Sequence, residues 1–144
     1  MHVPVLTEKV IEYLDPKSNE NFIDATIGGG GHTAAILARN GPKGKVLGID
    51  WDPEAIQALK QTIQKQYPNR LVLVNDNFAR LKETAQREKF YPAHGIVLDL
   101  GFSSDQIEKS GRGFSFLRDE PLDMRYSQDN PVTAEKIQNY WSRN

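Results

Sequence analysis

Residues 24–33 read Asp-Ala-Thr-Ile-Gly-Gly-Gly-Gly-His-Thr. The four glycines lie between a short apolar run, Phe22 and Ile23, and a stretch patterned as a helix. Glycine raises the entropic cost of folding and offers no side chain to bury. A run of four is therefore expected where the backbone must come close to something else. At a strand-to-helix junction, that is the ligand-binding turn of an open α/β sheet, found at the carboxyl ends of its strands. Amide groups and a helix N-terminus at such a turn favour a negative ligand group.

The rest of the chain supplies the sheet such a turn requires. Short apolar runs at 21–26, 45–50, 70–75 and 94–100 read as strands. Helical patterns separate them. One covers Thr33 to Asn40 and stops at Asn40-Gly41-Pro42. Another opens with Asp52 as cap and Pro53 as first residue and carries Ile56, Leu59 and Ile63 at helical spacing. A third, over 78–90, sets Phe78, Leu81 and Ala85 on one face. The runs Leu-Val-Leu-Val and Ile-Val-Leu-Asp-Leu are almost continuously apolar, which suits strands covered on both faces. The expected fold class is therefore α/β, Rossmann-like, with a parallel sheet in the order 3-2-1-4. Past Gly101 a polar loop rich in arginine and aromatics runs to Pro131, and a further helix begins at Val132.

The 144 residues suit one core, and a net charge of −1 advertises no general affinity for nucleic acid. The absence of cysteine removes disulfides and thiolate metal sites, and the three histidines are too scattered to suggest another metal site. No stretch is apolar enough to span a membrane, and the N-terminus lacks a secretory pattern, so a cytoplasmic location is expected.

The dinucleotide fingerprint is met only loosely. Gly28 and Gly30 fill its first two positions, but Thr33 stands at the third. Asp50 ends the second strand about 20 residues on, where an acid binds a ribose diol. Asp24 and Asp99 would point into the same cleft. Carboxylates repel a pyrophosphate but suit a sulfonium and an ammonium, which favours S-adenosylmethionine over a nicotinamide dinucleotide. Structural roles compete for several of these residues. Asp52 reads as a helix cap, and Ser103 with Gln106 has the spacing of a capping box. By default Phe78 would be core, His32 a packed residue and Asp99 a cap.

The blocks HVPVL (2–6), DATIGGGGHT (24–33), GIDWDPEAI (48–56), GIVLDLGFSSDQIE (95–108), RGFSF (112–116) and PLDMR (121–125) occur in that order. With them the sequence resembles the ribosomal RNA small subunit methyltransferase H family, also called MraW. The resemblance spans nearly all of this chain and about the first half of a family member. It implies an S-adenosyl-L-methionine cofactor and methylation of a cytosine exocyclic amine in 16S ribosomal RNA. Matched by position, it implies cofactor contacts at Gly30, Gly31, His32, Asp50, Phe78, Asp99 and Gln106. It also implies a cofactor domain over residues 1–130 and the start of a helical insertion over 131–144. Three departures adjoin contact positions. Gly29 stands where the family often has arginine, His94 stands where it often has aspartate, and Asp105 where it has proline.

A cytosine amine is a poor nucleophile, so transfer depends on alignment and on an acceptor that polarises its N–H. Asp99 ends the strand suited to that role, and no catalytic base is named. The loop holding Arg112, Phe114, Phe116, Arg118, Arg125 and Tyr126 interleaves charge with rings, as contact with a splayed RNA base requires. Arg112, Phe114 and Arg125 are the expected RNA contacts, with small-subunit RNA or the subunit as partner. The alternative for this loop is a solvated segment whose phenylalanines tuck into the core. Strand 94–100 is expected at an exposed sheet edge, leaving self-association open and predicting no RNA methylation by these residues alone. Two other readings stay open: a cofactor-binding fragment without turnover, completed by a second chain, and a nicotinamide-dependent dehydrogenase.

Overall fold

A computed structural model describes residues 6–141, which group into two compact units, Met1–Leu100 and Gly101–Asn144. Most of the HVPVL block lies outside the described residues.

The first unit is built on four parallel strands: β1 (Phe22–Asp24), β2 (Val46–Asp50), β3 (Leu71–Asn75) and β4 (Gly95–Val97). Their order is β3-β2-β1-β4, as the sequence predicts. Phe22 pairs with Val46 on one side and Gly95 on the other, and Asp50 pairs with Asn75. Successive side chains of a strand face opposite ways, and the core divides accordingly. Phe22, Val46 and Leu71 join Ile11, Ile36, Leu37, Ile56 and Leu59 in one cluster. Ile23, Leu47 and Ile49 join Ala25 and Phe90 in the other, with Leu81 and Ala85 packed against them. Every residue of β1 is buried, as are the first four of β2, so these two strands are covered on both faces.

The edge strands depart from that reading. β3 is half-buried over Val72–Val74. β4 is three residues long where seven are expected, and Ile96, Leu98 and Leu100 are exposed. An edge strand has a pairing partner on one side only, so its run of apolar side chains is left partly in water.

The helices are α1 (Thr7–Leu14), α2 (Gly31–Leu37), α3 (Pro53–Gln61), α4 (Ile63–Gln66), α5 (Leu81–Arg87), α6 (Ser104–Lys109) and α7 (Ala134–Tyr140). The long helix expected after Asp52 is broken at Thr62, whose hydroxyl donates to the Ala58 carbonyl at 2.9 Å. Asp52 caps α3 as read, accepting from the Glu54 amide at 2.9 Å. Arg70 ties the end of α2 to the start of β2: Nη2 donates to Leu37 O and Asn40 Oδ1, and Nε donates to Gly44 O. No helix among the described residues is long and apolar enough to cross a membrane.

Candidate functional site

The carboxyl ends of the strands are sewn together by polar contacts. Asp24 is the last residue of β1 and Asp50 the last of β2, and Asp99 follows β4 by two. The Ile27 amide donates to Ile49 O and the Ala25 amide to Val97 O, both at 3.0 Å. The loop after β1 thus lies across the ends of both its neighbours.

Asp50 holds that loop directly. Its Oδ2 accepts from the Gly28 amide and its Oδ1 from the Asp52 amide, each at 2.8 Å. One carboxylate thereby fixes the glycine turn and the entry to α3. Burial raises its pKa above the usual carboxylate value, while the Asp52 and Gly28 amides pull the other way. Each carboxylate oxygen has a second lone pair, so these bonds leave it able to accept from a ligand.

Asp24 is 1% exposed and accepts from the Thr33 hydroxyl at 2.7 Å. Burial lifts its pKa to about 6, against the Thr33 hydrogen bond. That bond spans the whole glycine loop, from the end of β1 to the first turn of α2. In the sequence Thr33 reads as the start of a helix and as an irregular third position of the fingerprint, and neither reading points to this bond. An acid at the strand end with a hydroxyl in the first helical turn was the available signal.

Gly30 caps α2 in the left-handed conformation, with φ 77°. A Cβ there would run into the tip of Ile63 and come within 2.8 Å of Leu59 Cδ2. Gly31 opens the helix. His32, next along, is buried, with Nε2 3.4 Å from Asp99 Oδ2 and Nδ1 without a hydrogen-bond partner. The Asp99 amide donates to Thr26 Oγ1 at 2.7 Å, while its carboxylate is largely exposed. Thr26 is a second hydroxyl with a role that no sequence pattern marks.

Phe78 follows β3 in a 3-10 turn, Phe78–Arg80, capped by Asn77. The default expectation of a core ring is corrected: Phe78 is 46% exposed, and Leu81 and Ala85 carry the apolar face. The 3-10 turn takes Phe78 out of the helical periodicity that would have aligned it with them. Asp76 nearby, not singled out by sequence, is engaged with Thr84 Oγ1 and Arg87.

Gln106 belongs to the second unit. It closes the capping box of α6, its Oε1 accepting from the Ser103 amide and its own amide donating to Ser103 Oγ. The arginine loop also lies in this unit. Arg112 is 7% exposed, and its Nη1 donates to the carbonyls of Arg125 and Tyr126, each at 2.8 Å. Arg125 forms a two-pronged pair with Asp123 and donates to the Gln128 and Asn130 carbonyls. Phe114 is buried, 5.8 Å from the rings of Phe102 and Tyr126. These three expected RNA contacts form the inner frame of their loop. Among the described residues no group of three His, Asp or Glu is placed to hold a metal.

A parallel sheet with a glycine turn and acids at its strand ends is a Rossmann-like α/β fold. Among solved structures, an rRNA methylase from Streptococcus thermophilus matches with a TM-score of 0.56 at 19% identity, covering 70% of this chain and 58% of its own. A protein-L-isoaspartate O-methyltransferase matches with a TM-score of 0.52 at 19% identity, over 68% of this chain and 29% of its own. At those identities the likeness is one of fold. Sequence narrows the class: the MraW methylase family matches residues 1–144, and the chain belongs to that family. Two curated relatives are named ribosomal RNA small subunit methyltransferase H. The one from Dehalococcoides mccartyi is 44% identical, over 96% of this chain and 39% of its own length. The one from Thermomicrobium roseum is 45% identical, over 98% and 43%. The chain thus spans less than half the length of these relatives.

Proposed function

We propose that these residues form the cofactor-binding part of an enzyme that uses S-adenosyl-L-methionine to methylate the exocyclic amine of a cytosine in small-subunit ribosomal RNA. The observation that carries the reading is the Asp50 carboxylate bound into a glycine turn at the strand ends, in a chain of the MraW family. On this reading residues 1–130 are the cofactor domain and 131–144 open an insertion, and the RNA substrate implies work in the cytoplasm.

The residues suit that cofactor. Burial raises the pKa of both Asp24 and Asp50 at the strand ends, so it opposes their negative charge, an opposition that an incoming cation would offset and a pyrophosphate would aggravate. When bound, S-adenosylmethionine supplies an electrophilic methyl on a sulfonium. We assign Asp50 to the ribose hydroxyls, the half-exposed Phe78 to the adenine, and Gly30, Gly31 and His32 to the remainder of the cofactor. Asp99 presents an exposed carboxylate backed by His32, fit to accept a hydrogen bond from an amine and raise its electron density.

A second reading is cofactor binding without turnover by residues 1–144 alone. Their coverage of the relatives and the exposed β4 edge favour it. Self-association through that edge has no support beyond the exposed side chains there. The dehydrogenase reading gains nothing from the family match.

Calorimetry with S-adenosylmethionine and with NAD tests the cofactor, with binding expected for the first alone. Asp50→Ala should weaken binding by at least about tenfold, since a hydrogen bond to a charged group contributes ~1.5–3 kcal/mol. Equal affinity in parent and variant would remove Asp50 from the site.

A further inference from the structure

The arginine and aromatic loop of the second unit is stiff at its base and bare at its tip. Two strong contacts close the base: Arg112 binds the carbonyls of residues 125 and 126, and the Met124 amide donates to Arg112 O at 2.7 Å. The Gly113 amide donates to Glu120 Oε2 at 3.0 Å. Gly113 itself has φ 76°, and a Cβ there would collide with the Pro121 carbonyl oxygen, so the two arms meet backbone to backbone. Phe114 fills the interior between Phe102 and Tyr126, and the Tyr126 hydroxyl donates to Gly101 O at 2.8 Å.

Beyond that brace the chain turns outward. Phe116 is 95% exposed and Leu117 82%. Burying a phenylalanine is ordinarily worth about 1.5–3 kcal/mol, and this braced loop buries Phe114 while leaving Phe116, two residues on, in water. The surroundings are polar: Ser115, Arg118 and Asp119 flank the pair, and Arg118 reaches toward Glu120 at 3.9 Å. Two apolar side chains ringed by polar ones are too small a patch for a stable protein interface. They match one unpaired base, a flat apolar face set in a polar backbone.

We propose that Phe116 is the base-stacking residue of this protein, presented on a pre-braced loop to an unpaired nucleotide of the RNA substrate, with Leu117 beside it. The proposal rests on the RNA-methyltransferase reading above. It moves the loop's RNA contact from Arg112, Phe114 and Arg125, which shape the loop, to its tip. Arg112 and Arg125 are spent on internal partners, so at Phe116 the contribution is stacking, with Arg118 the cation beside it.

The test is fluorescence-anisotropy titration of the full-length protein with a fluorescein-labelled, cytidine-containing single-stranded RNA at several salt concentrations. Phe116→Ala and Phe116→Leu should each bind about 5- to 100-fold more weakly, and Phe116→Trp within about twofold of the parent. The slope of log affinity against log salt should be the same for all four proteins, because no phosphate contact changes. Parent-like binding by the alanine variant overturns the proposal. So does parent-like binding by the leucine variant, which would make the contact apolar packing rather than stacking. Thermal midpoints should match, and a loss of several degrees in Phe116→Ala would mean that the ring packs within the protein, again overturning the proposal. A parent that binds S-adenosylmethionine but not the RNA would instead overturn the RNA reading, and the proposal with it.

Discussion

Replacing Gly30 with alanine is expected to lower the free energy of unfolding by roughly 2–4 kcal/mol, combining left-handed strain with overpacking. The φ of 77° is the first cause, since a Cβ in the left-handed region meets its own backbone. The second is the floor of the loop, where the new methyl would meet Ile63 Cδ1 and Leu59 Cδ2. Those atoms are side-chain tips and yield, which keeps the steric share below the backbone share. Denaturant melts of a double-mutant cycle separate the two. Ile63→Val deletes the Cδ1 methyl that lies nearest, so Gly30→Ala should cost less in that background, by about 0.5–1.5 kcal/mol. Unchanged stability in the single variant would mean that the turn has another conformation.

Gly29 makes the contrast. Its Cβ direction is open, with nothing within 4 Å, and its φ is not in the strained region. Gly29→Ala should change stability by no more than about 0.5 kcal/mol, as a surface substitution does. Four glycines in a row looked alike in the sequence. The structure requires a glycine at Gly30 on both conformational and steric grounds, and leaves Gly29 free.

That difference sets the boundary of what could be read in advance. Strand identity, the order 3-2-1-4, the Asp52 cap and the Ser103–Gln106 box were legible, because each rests on local pattern or on a general rule of parallel sheets. Helix α1 was not, since Thr7–Leu14 carries only Val10, Ile11 and Leu14 toward the core and has no side-chain cap. Nor was the fate of the two phenylalanines of Arg-Gly-Phe-Ser-Phe. Outside regular structure no period says which ring turns inward, and here it is Phe114 that does so while Phe116 does not. Within the site, the acids could be placed at strand ends from sequence, but their partners could not. Asp24–Thr33, Asp50–Gly28 and Asp99–Thr26 join positions whose proximity only the crossing of the loop creates.

Asp24→Asn is expected to stabilise the protein above pH 6 and to leave it nearly unchanged at pH 4. The carboxyl has an ordinary pKa of 3.8 and a folded value of about 6, so between those limits the native state holds more protons than the unfolded chain. Stability from this group is therefore greatest below pH 3.8, falls as pH rises toward 6, and is fully lost above it. At about 1.4 kcal/mol per pH unit, keeping the buried carboxylate charged at pH 8 costs the fold on the order of 3 kcal/mol. Asparagine keeps an oxygen to accept from Thr33 and does not ionise; its amide nitrogen replaces the oxygen that accepts from the Thr26 amide at 3.4 Å, an offset that is the same at every pH. The difference between variant and parent should thus grow from near zero at pH 4 toward that value by pH 7. Asp50, also raised by burial, is present in both proteins, but its charge helps to raise Asp24, so relief of that repulsion is part of the difference measured at high pH. Asp76 and Asp123 have lowered pKa values, so their contribution is lost only as pH falls below 3.8, outside the window. Urea unfolding at a series of pH values measures the curve, and a difference that stays constant from pH 4 to 8 would show that Asp24 does not titrate as described. A charge retained at such cost needs a use. The proposed one is the cation of the cofactor, so the same variant should bind S-adenosylmethionine more weakly at pH 8 while being harder to unfold, the trade expected of a group kept for function rather than for stability.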